Sequence, residues 1–194
     1  MKIEDINVLY INLEKRTDRR KQIENELQGF RNIERVVAID TCTTSGYFGC
    51  VLSHIKALNI AKEKGYKEVM ICEDDFEWIA KEKFIYPDID FDVCMISGKI
   101  NEKEFINWNY NKVIDGRHTD CYIIRNHYYD TLINNFKEGY EKLKEEDTHE
   151  YYLDVYWLNL QKKDNFITPT LLIGRQREGY SDIQKCIMKR YKDE

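Results

Sequence analysis

Four apolar residues, Val69-Met70-Ile71-Cys72, hand over without a spacer to three acids, Glu73-Asp74-Asp75. A continuous apolar run of this kind suits a central parallel strand covered on both faces. Ligands of open α/β sheets bind outside the carboxyl ends of such strands. Acids at that place face a site rather than decorate a random loop. In an extended chain Glu73 and Asp75 project to one side and Asp74 to the other. Two same-side carboxylates suit a hard divalent cation, Mg²⁺ or Mn²⁺, which prefers oxygen ligands and can bridge to a diphosphate. The plain alternative is a solvated acidic loop from Glu73 to Glu77. Receiver domains and phosphatases also place acids at strand ends, but a receiver domain has its acidic pair after the first strand, whereas two strands are expected before this one. Neither GxGxxG nor GxxxxGK[ST] is present, so phosphate binding falls to metal, basic side chains or isolated backbone amides.

The rest of the chain alternates in the same manner. Strands are expected over residues 7–13, 33–39, 68–72, 91–96 and 119–124, and a late one over 166–173 whose Pro169 places it at an edge or makes it irregular. Helices are expected over 17–28, capped by Thr17-Asp18, over 50–64 with Gly65 as a stop, and over 129–144, where Tyr129, Leu132, Ile133, Phe136, Tyr140 and Leu143 recur with period 3.6. A further helix carries Leu153, Tyr156, Trp157 and Leu160, and a last one runs from 181 to about 192. This order predicts one α/β domain spanning 1–194, with a mostly parallel central sheet flanked by helices.

Composition narrows the function. The 194 residues include only 9 Gly and 2 Pro, with 42% hydrophobic and 34% charged, which excludes disordered and collagenous chains. The 30 basic and 35 acidic residues leave a net charge of −5, the wrong sign for a general nucleic-acid binder. No run is long and apolar enough for a transmembrane span, and no apolar signal core follows Met1. The six cysteines, Cys42, Cys50, Cys72, Cys94, Cys121 and Cys186, form no CxxC pair, so reduced, buried thiols are expected and a zinc site is not.

Six segments in order resemble glycosyltransferase family 25, which includes bacterial lipooligosaccharide galactosyltransferases and procollagen galactosyltransferases. Tyr10-Ile11-Asn12-Leu13-Glu14-Lys15-Arg16-Thr17-Asp18-Arg19-Arg20 resembles the family's opening strand and turn. Gly49-Cys50-Val51-Leu52-Ser53-His54 resembles its Gly-Cys-x-x-Ser-His element, and Val69 to Asp75 its strand with Glu-Asp-Asp. Thr119-Asp120-Cys121-Tyr122-Ile123-Ile124, Leu153-Asp154 and Ser181-Asp182-Ile183 are similar to its later strand, Val-Asp and Ser-Asp-Ile elements. The resemblance implies a GT-A type, Rossmann-like nucleotide-sugar-binding fold. It also implies an inverting transfer of galactose or glucose from a UDP-sugar, with Mn²⁺ or Mg²⁺ as cofactor. The acceptor would be a hydroxyl on a glycan or on a hydroxylysine-bearing, collagen-like protein.

Carried onto this chain, the resemblance makes Glu73, Asp74 and Asp75 the metal and diphosphate motif, with Asp75 the foremost ligand. Asn12, Arg16 and Arg20 would lie near the nucleotide. The plain alternative for Arg19 and Arg20 is a solvated first helical turn, favoured more for Arg19 than for Arg16. Ser53 and His54 would face the uridine or the sugar, although capping or core packing serves His54 equally well. Asp154 is the candidate general base, set among Leu153, Val155, Tyr156 and Trp157, with Glu150 and Asp120 in reserve. Gln176, Ser181 and Asp182 belong to a terminal loop that would close over the donor, unless Ser181 merely caps a helix. Trp108 and Tyr110 offer rings for a sugar face or for packing. The short stretch between Ile96 and Thr119 leaves little room for an acceptor-binding insertion. Without a secretory signal or retention tetrapeptide, a bacterial or viral enzyme working in the cytosol is expected. The competing expectation is a catalytically silent nucleotide-sugar-binding or partner-binding module of the same fold. A third is a phosphoryl-transfer or regulatory α/β protein without preference for uridine.

Overall fold

The computed structural model describes residues 3–41 and 45–189. The chain opens with β1 (Asn7–Asn12), α1 (Thr17–Glu26) and β2 (Asn32–Val37), then α2 (Gly46–Glu63) and β3 (Glu68–Glu73). Two short strands, β4 (Phe76–Trp78) and β5 (Val93–Met95), precede a hairpin of β6 (Lys99–Phe105) and β7 (Tyr110–Arg117). Strand β8 (Cys121–Arg125) leads to α3 (Tyr129–Glu145), followed by two single turns, α4 (Leu153–Tyr156) and α5 (Leu158–Gln161). Strand β9 (Phe166–Pro169) and three short strands, β10 (Gly174–Gln176), β11 (Gly179–Ser181) and β12 (Cys186–Met188), complete the described chain.

The central sheet runs β2-β1-β3-β8-β5-β9-β7-β6. β1 pairs in parallel with β2 and β3, and β5 with β9, whereas β7 and β8 run against all of their neighbours. Two of the eight strands thus oppose the other six. Alternate residues feed two cores. Leu9, Ile11, Val69 and Ile71 pack with Leu58 of α2 and Leu132 and Phe136 of α3. Val8, Tyr10, Met70 and Cys72 pack with Ile23 of α1 and Leu27. Cover on both faces is why β1 and β3 read as unbroken apolar runs.

Several expectations change. Helix α2 begins at Gly46, four residues before Cys50. The helix expected through Leu153 and Leu160 is two separate turns that clasp β7. Trp157 Nε1 donates to the Gly116 carbonyl at 2.9 Å, and the Gln161 amide bonds both the N–H and the carbonyl of Gly116 at 2.7 Å. Strand β9 lies inside the sheet, between β5 and β7; its ladder stops at Pro169, short of Ile173. The stretch 97–117 holds the β6–β7 hairpin, concealed in the sequence because β6 is charged and exposed along an edge. In place of a helix from 181, β11 and β12 form an antiparallel hairpin whose turn holds Lys185 at φ 53°. Residues 190–192 of that expected helix lie outside the described residues, as does Cys42. The five described cysteines are free; Cys186 is exposed, contrary to expectation. Among the described residues no helix is long and apolar enough to cross a membrane.

Candidate functional site

The carboxyl ends of β1 and β3 lie side by side, with Ile11 opposite Glu73. Asn12, the last residue of β1, is buried and fully engaged. Its Nδ2 donates to Asp74 Oδ2 at 2.7 Å and to the Arg16 carbonyl at 3.0 Å, and its Oδ1 accepts from Arg35 Nε at 3.0 Å. The amide supplies two N–H donors and a separate carbonyl acceptor, and these three contacts use all of them. In the first turn of α1, Arg19 Nη1 reaches Asp74 Oδ1 and Asp75 Oδ2, each at 3.0 Å. Arg19 is therefore part of the acidic cluster rather than a solvated first-turn residue.

Glu73 faces the other way. It is still in the strand, and its Oε1 accepts from Thr119 Oγ1 at 2.8 Å and lies 3.2 Å from His54 Nε2. His54 Nδ1 is 3.1 Å from the Tyr122 hydroxyl. Because β3 ends at Glu73, the two-residue alternation stops there. Asp74 and Asp75 converge on Arg19, and the expected pairing of Glu73 with Asp75 does not form around that cation. Cys50, His54 and Glu73 also bring one donor atom each within 4.8 Å of one another. Both His54 nitrogens already have partners, so the trio reads as a polar network anchoring α2 to β3.

The acids differ in charge state. Burial opposes ionisation of Glu73, yet the contacts with His54 and Thr119 hold it below the usual carboxylate value. Burial raises Asp74 despite Arg19 and Asn12. Burial also raises Asp75, with repulsion from Glu73 adding to it. Asp120, just before β8, is pushed up to about 8 by burial; the Ser97 hydroxyl works against this, and Asp75 and Glu73 add to it. Its main-chain carbonyl accepts from the Glu73 N–H at 2.8 Å. Asp75 Oδ1 and Asp120 Oδ1 are both buried with no hydrogen-bond partner. Buried carboxylate oxygens are seldom left so, and a bound cation would satisfy them.

Two cavities meet at this point. One of about 120 Å³ is lined by Arg19, Ser53, His54, the three acids and Asp182. The other, about 260 Å³, is lined by Glu73, His118, Asp120, His149 and Asp154. Cys50, Glu73, Gln176 and Ser181 line both. A third cavity of about 870 Å³ runs from His118 along β6 and the 168–178 segment. The terminal segment covers the acids. Strand β10 pairs with β4, the Arg177 N–H donates to the Asp75 carbonyl at 2.6 Å, and Gln176 Nε2 reaches Asp75 Oδ2 at 3.1 Å. Arg16 pairs with Asp182, and Arg19 Nη2 donates to the Tyr180 carbonyl at 2.7 Å.

Asp154, at the start of α4, accepts from the His118 N–H at 3.1 Å through Oδ2. His118 stands at φ 68°, the left-handed region that non-glycine residues rarely occupy and that tends to persist at functional sites. Ser53 lines the smaller cavity, but its hydroxyl is committed to main chain: it donates to the Gly49 carbonyl at 2.6 Å and accepts from the Ile39 N–H at 2.9 Å. Gly49 is required there, since a Cβ would stand 2.4 Å from the Ile39 carbonyl. Ser181 Oγ accepts from the Gln184 N–H at 3.1 Å, capping a turn of the hairpin.

Arg20, Glu150 and Tyr110 are not brought to the site. Arg20 pairs with Glu24 on the outer face of α1, which puts it outside all three cavities. Glu150 is exposed, and only its neighbour His149 lines the cavity. Tyr110 is buried in the core, while Trp108 stands 88% exposed at the hairpin tip against Phe105. Sequence reasoning undervalued Arg19 and missed His118. A helical register from Thr17 places Arg19 toward β3, a signal that was readable. The φ angle of His118 leaves no mark in the sequence.

No family model matches the chain, and no curated protein matches it. Among solved structures, a glycosyltransferase involved in the glycosylation of the major capsid of PBCV-1 is similar, with a TM-score of 0.56 and 11% identity over 84% of this chain and 81% of that one. A197 from STIV is similar with a TM-score of 0.50 and 12% identity, over 97% of this chain and 96% of that one. At such identities the likeness is one of fold: the chain has a GT-A-like α/β fold, with a mixed sheet flanked by helices.

Proposed function

We propose that this chain is a metal-dependent glycosyltransferase that moves a hexose from a UDP-sugar to a hydroxyl acceptor with inversion. One observation carries the reading: Asp74 and Asp75 at the end of β3 line one cavity and Asp154 lines the adjoining one, with Glu73 lining both. The fold shared with a glycosyltransferase and the resemblance to family 25 support it. The unpartnered Asp75 Oδ1 fits a cation. Asp75, with Asp74 beside it, would hold Mn²⁺ or Mg²⁺, which when bound would offset charge on the diphosphate leaving group, while Glu73 stays in its network with His54 and Thr119. Asn12 fixes Asp74, and Arg16 with Asp182 holds the terminal hairpin over the donor. Asp154, oriented by the His118 N–H, takes the proton from the acceptor hydroxyl as it attacks the anomeric carbon. The acceptor enters along the long groove beside β6, which adjoins the Asp154 cavity at His118.

The test is UDP release from UDP-galactose and UDP-glucose with Mn²⁺, in the parent and in Asp75→Asn. Metal-dependent release lost in the variant supports the reading; absence of binding of either nucleotide-sugar sinks it. One feature favours the silent alternative, because Arg19 already pairs with both Asp74 and Asp75. UDP binding in calorimetry without turnover on any acceptor would select that alternative.

A further inference from the structure

We infer that Asp120 is a ligand of the divalent cation and shares it with Asp75. The two residues come from neighbouring strands: β3 and β8 pair, and the Glu73 N–H donates to the Asp120 carbonyl at 2.8 Å. Asp120 is 1% exposed and Asp75 7%. The Ser97 hydroxyl donates to Asp120 Oδ2, and Arg19 and Gln176 take Asp75 Oδ2. In each residue Oδ1 is left buried with no partner. The charge of Asp75 also disfavours ionisation of Asp120. The Arg19 guanidinium is used by Asp74, Asp75 and the Tyr180 carbonyl.

Two buried acids of one sign, each with an oxygen unmet, have two remedies. They can share a proton, or they can take up a cation. A hard divalent ion accepts oxygens from both, and it needs more of them than one aspartate provides. Asp120 also lines the cavity that holds Asp154. An ion shared by Asp75 and Asp120 thus stands at the junction of the two cavities, rather than only under Arg19.

This rests on the acidic motif being the cation site proposed above, and the experiment separates the two. Binding of Mn²⁺ is followed by the loss of the free-ion electron paramagnetic resonance signal, and UDP binding by calorimetry with a chelator present. Asp120→Asn and Asp120→Ala are each compared with Asp130→Asn, a surface carboxylate paired with Lys62. Circular dichroism confirms folding, and removal of a buried charge favours it. Weakening of Mn²⁺ binding by about tenfold or more in both Asp120 variants, and not in Asp130→Asn, is the expected result. Unchanged Mn²⁺ affinity in the Asp120 variants overturns the inference, assigns the two oxygens to a shared proton, and leaves the nucleotide-sugar reading standing if UDP still binds. Mn²⁺ binding that depends on Asp120 without any UDP binding supports the cation site and removes the nucleotide-sugar reading.

Discussion

Arg19 Nη1 donates to Asp75 Oδ2 at 3.0 Å, and the same nitrogen serves Asp74 at an equal distance. All three side chains are about nine-tenths buried. Removing the cation leaves two acids facing each other in a poor solvent. Arg19→Gln is therefore expected to lower stability by about 3 kcal/mol, the scale of a broken buried pair. Denaturant unfolding checks it: the midpoint drops with the slope unchanged. Arg20→Gln, one residue along on the solvent side, leaves the midpoint where it is.

Asp120 carries a pH signature. Its folded value of about 8 lies above the roughly 3.9 of an unfolded aspartate. Between these values the folded chain keeps a proton that the unfolded chain has released. Stability from this group is thus full below pH ~4 and lost as pH rises through about 8. Asp120→Asn should flatten that decline and melt above the parent at pH 8.5. Thermal melts across pH 5–9 measure the difference, at about 2–4 °C per kcal/mol for a domain of this size. Identical slopes in parent and variant would refute it.

Asp154→Asn keeps the hydrogen bond acceptor for the His118 N–H but cannot take a proton. Transfer is expected to slow by about 10²–10⁴, with donor affinity unaltered. A rise in donor KM with kcat intact would instead assign Asp154 to donor binding.

Asp182→Ala removes the Arg16 partner that ties the β11–β12 hairpin to the turn after β1. Hydrogen exchange of residues 179–188 should accelerate while β1 and β3 keep their protection. UDP-sugar should weaken in the same variant and slow that exchange again when saturating. Uniform exchange across the whole molecule would show a general loss of stability and not a local release.

Much of the sheet was legible because β1, β3 and β8 are covered on both faces and so read as apolar runs. Helix α3 was legible because its stripe is one-sided. Strand β6 was not: every second residue of Lys99 to Phe105 faces water on an edge, and the other half is scarcely more covered. The β11–β12 hairpin was read as a helix because Ser181-Asp182 is a good helix start, and only pairing between Gly179 and Met188 overrides it. At the site, Glu73, Asp74, Asp75 and Asp154 could be chosen from strand ends and the family resemblance. His118 matters through a contact with Asp154, 36 residues away, which is invisible to local pattern, whereas for Arg19 the helical register showed the face but not its partner Asp74, 55 residues on.

The order of pieces along the chain has a consequence for biosynthesis. The eight-stranded sheet is complete at Pro169, while Gln176, Arg177, Tyr180 and Asp182, which cover the acids, come after it. A chain emerging from the ribosome can finish its sheet with Asp74 and Asp75 still uncovered. A chain cut after Pro169 would keep every strand of the central sheet and lose the segment 176–182 that closes over Asp74 and Asp75.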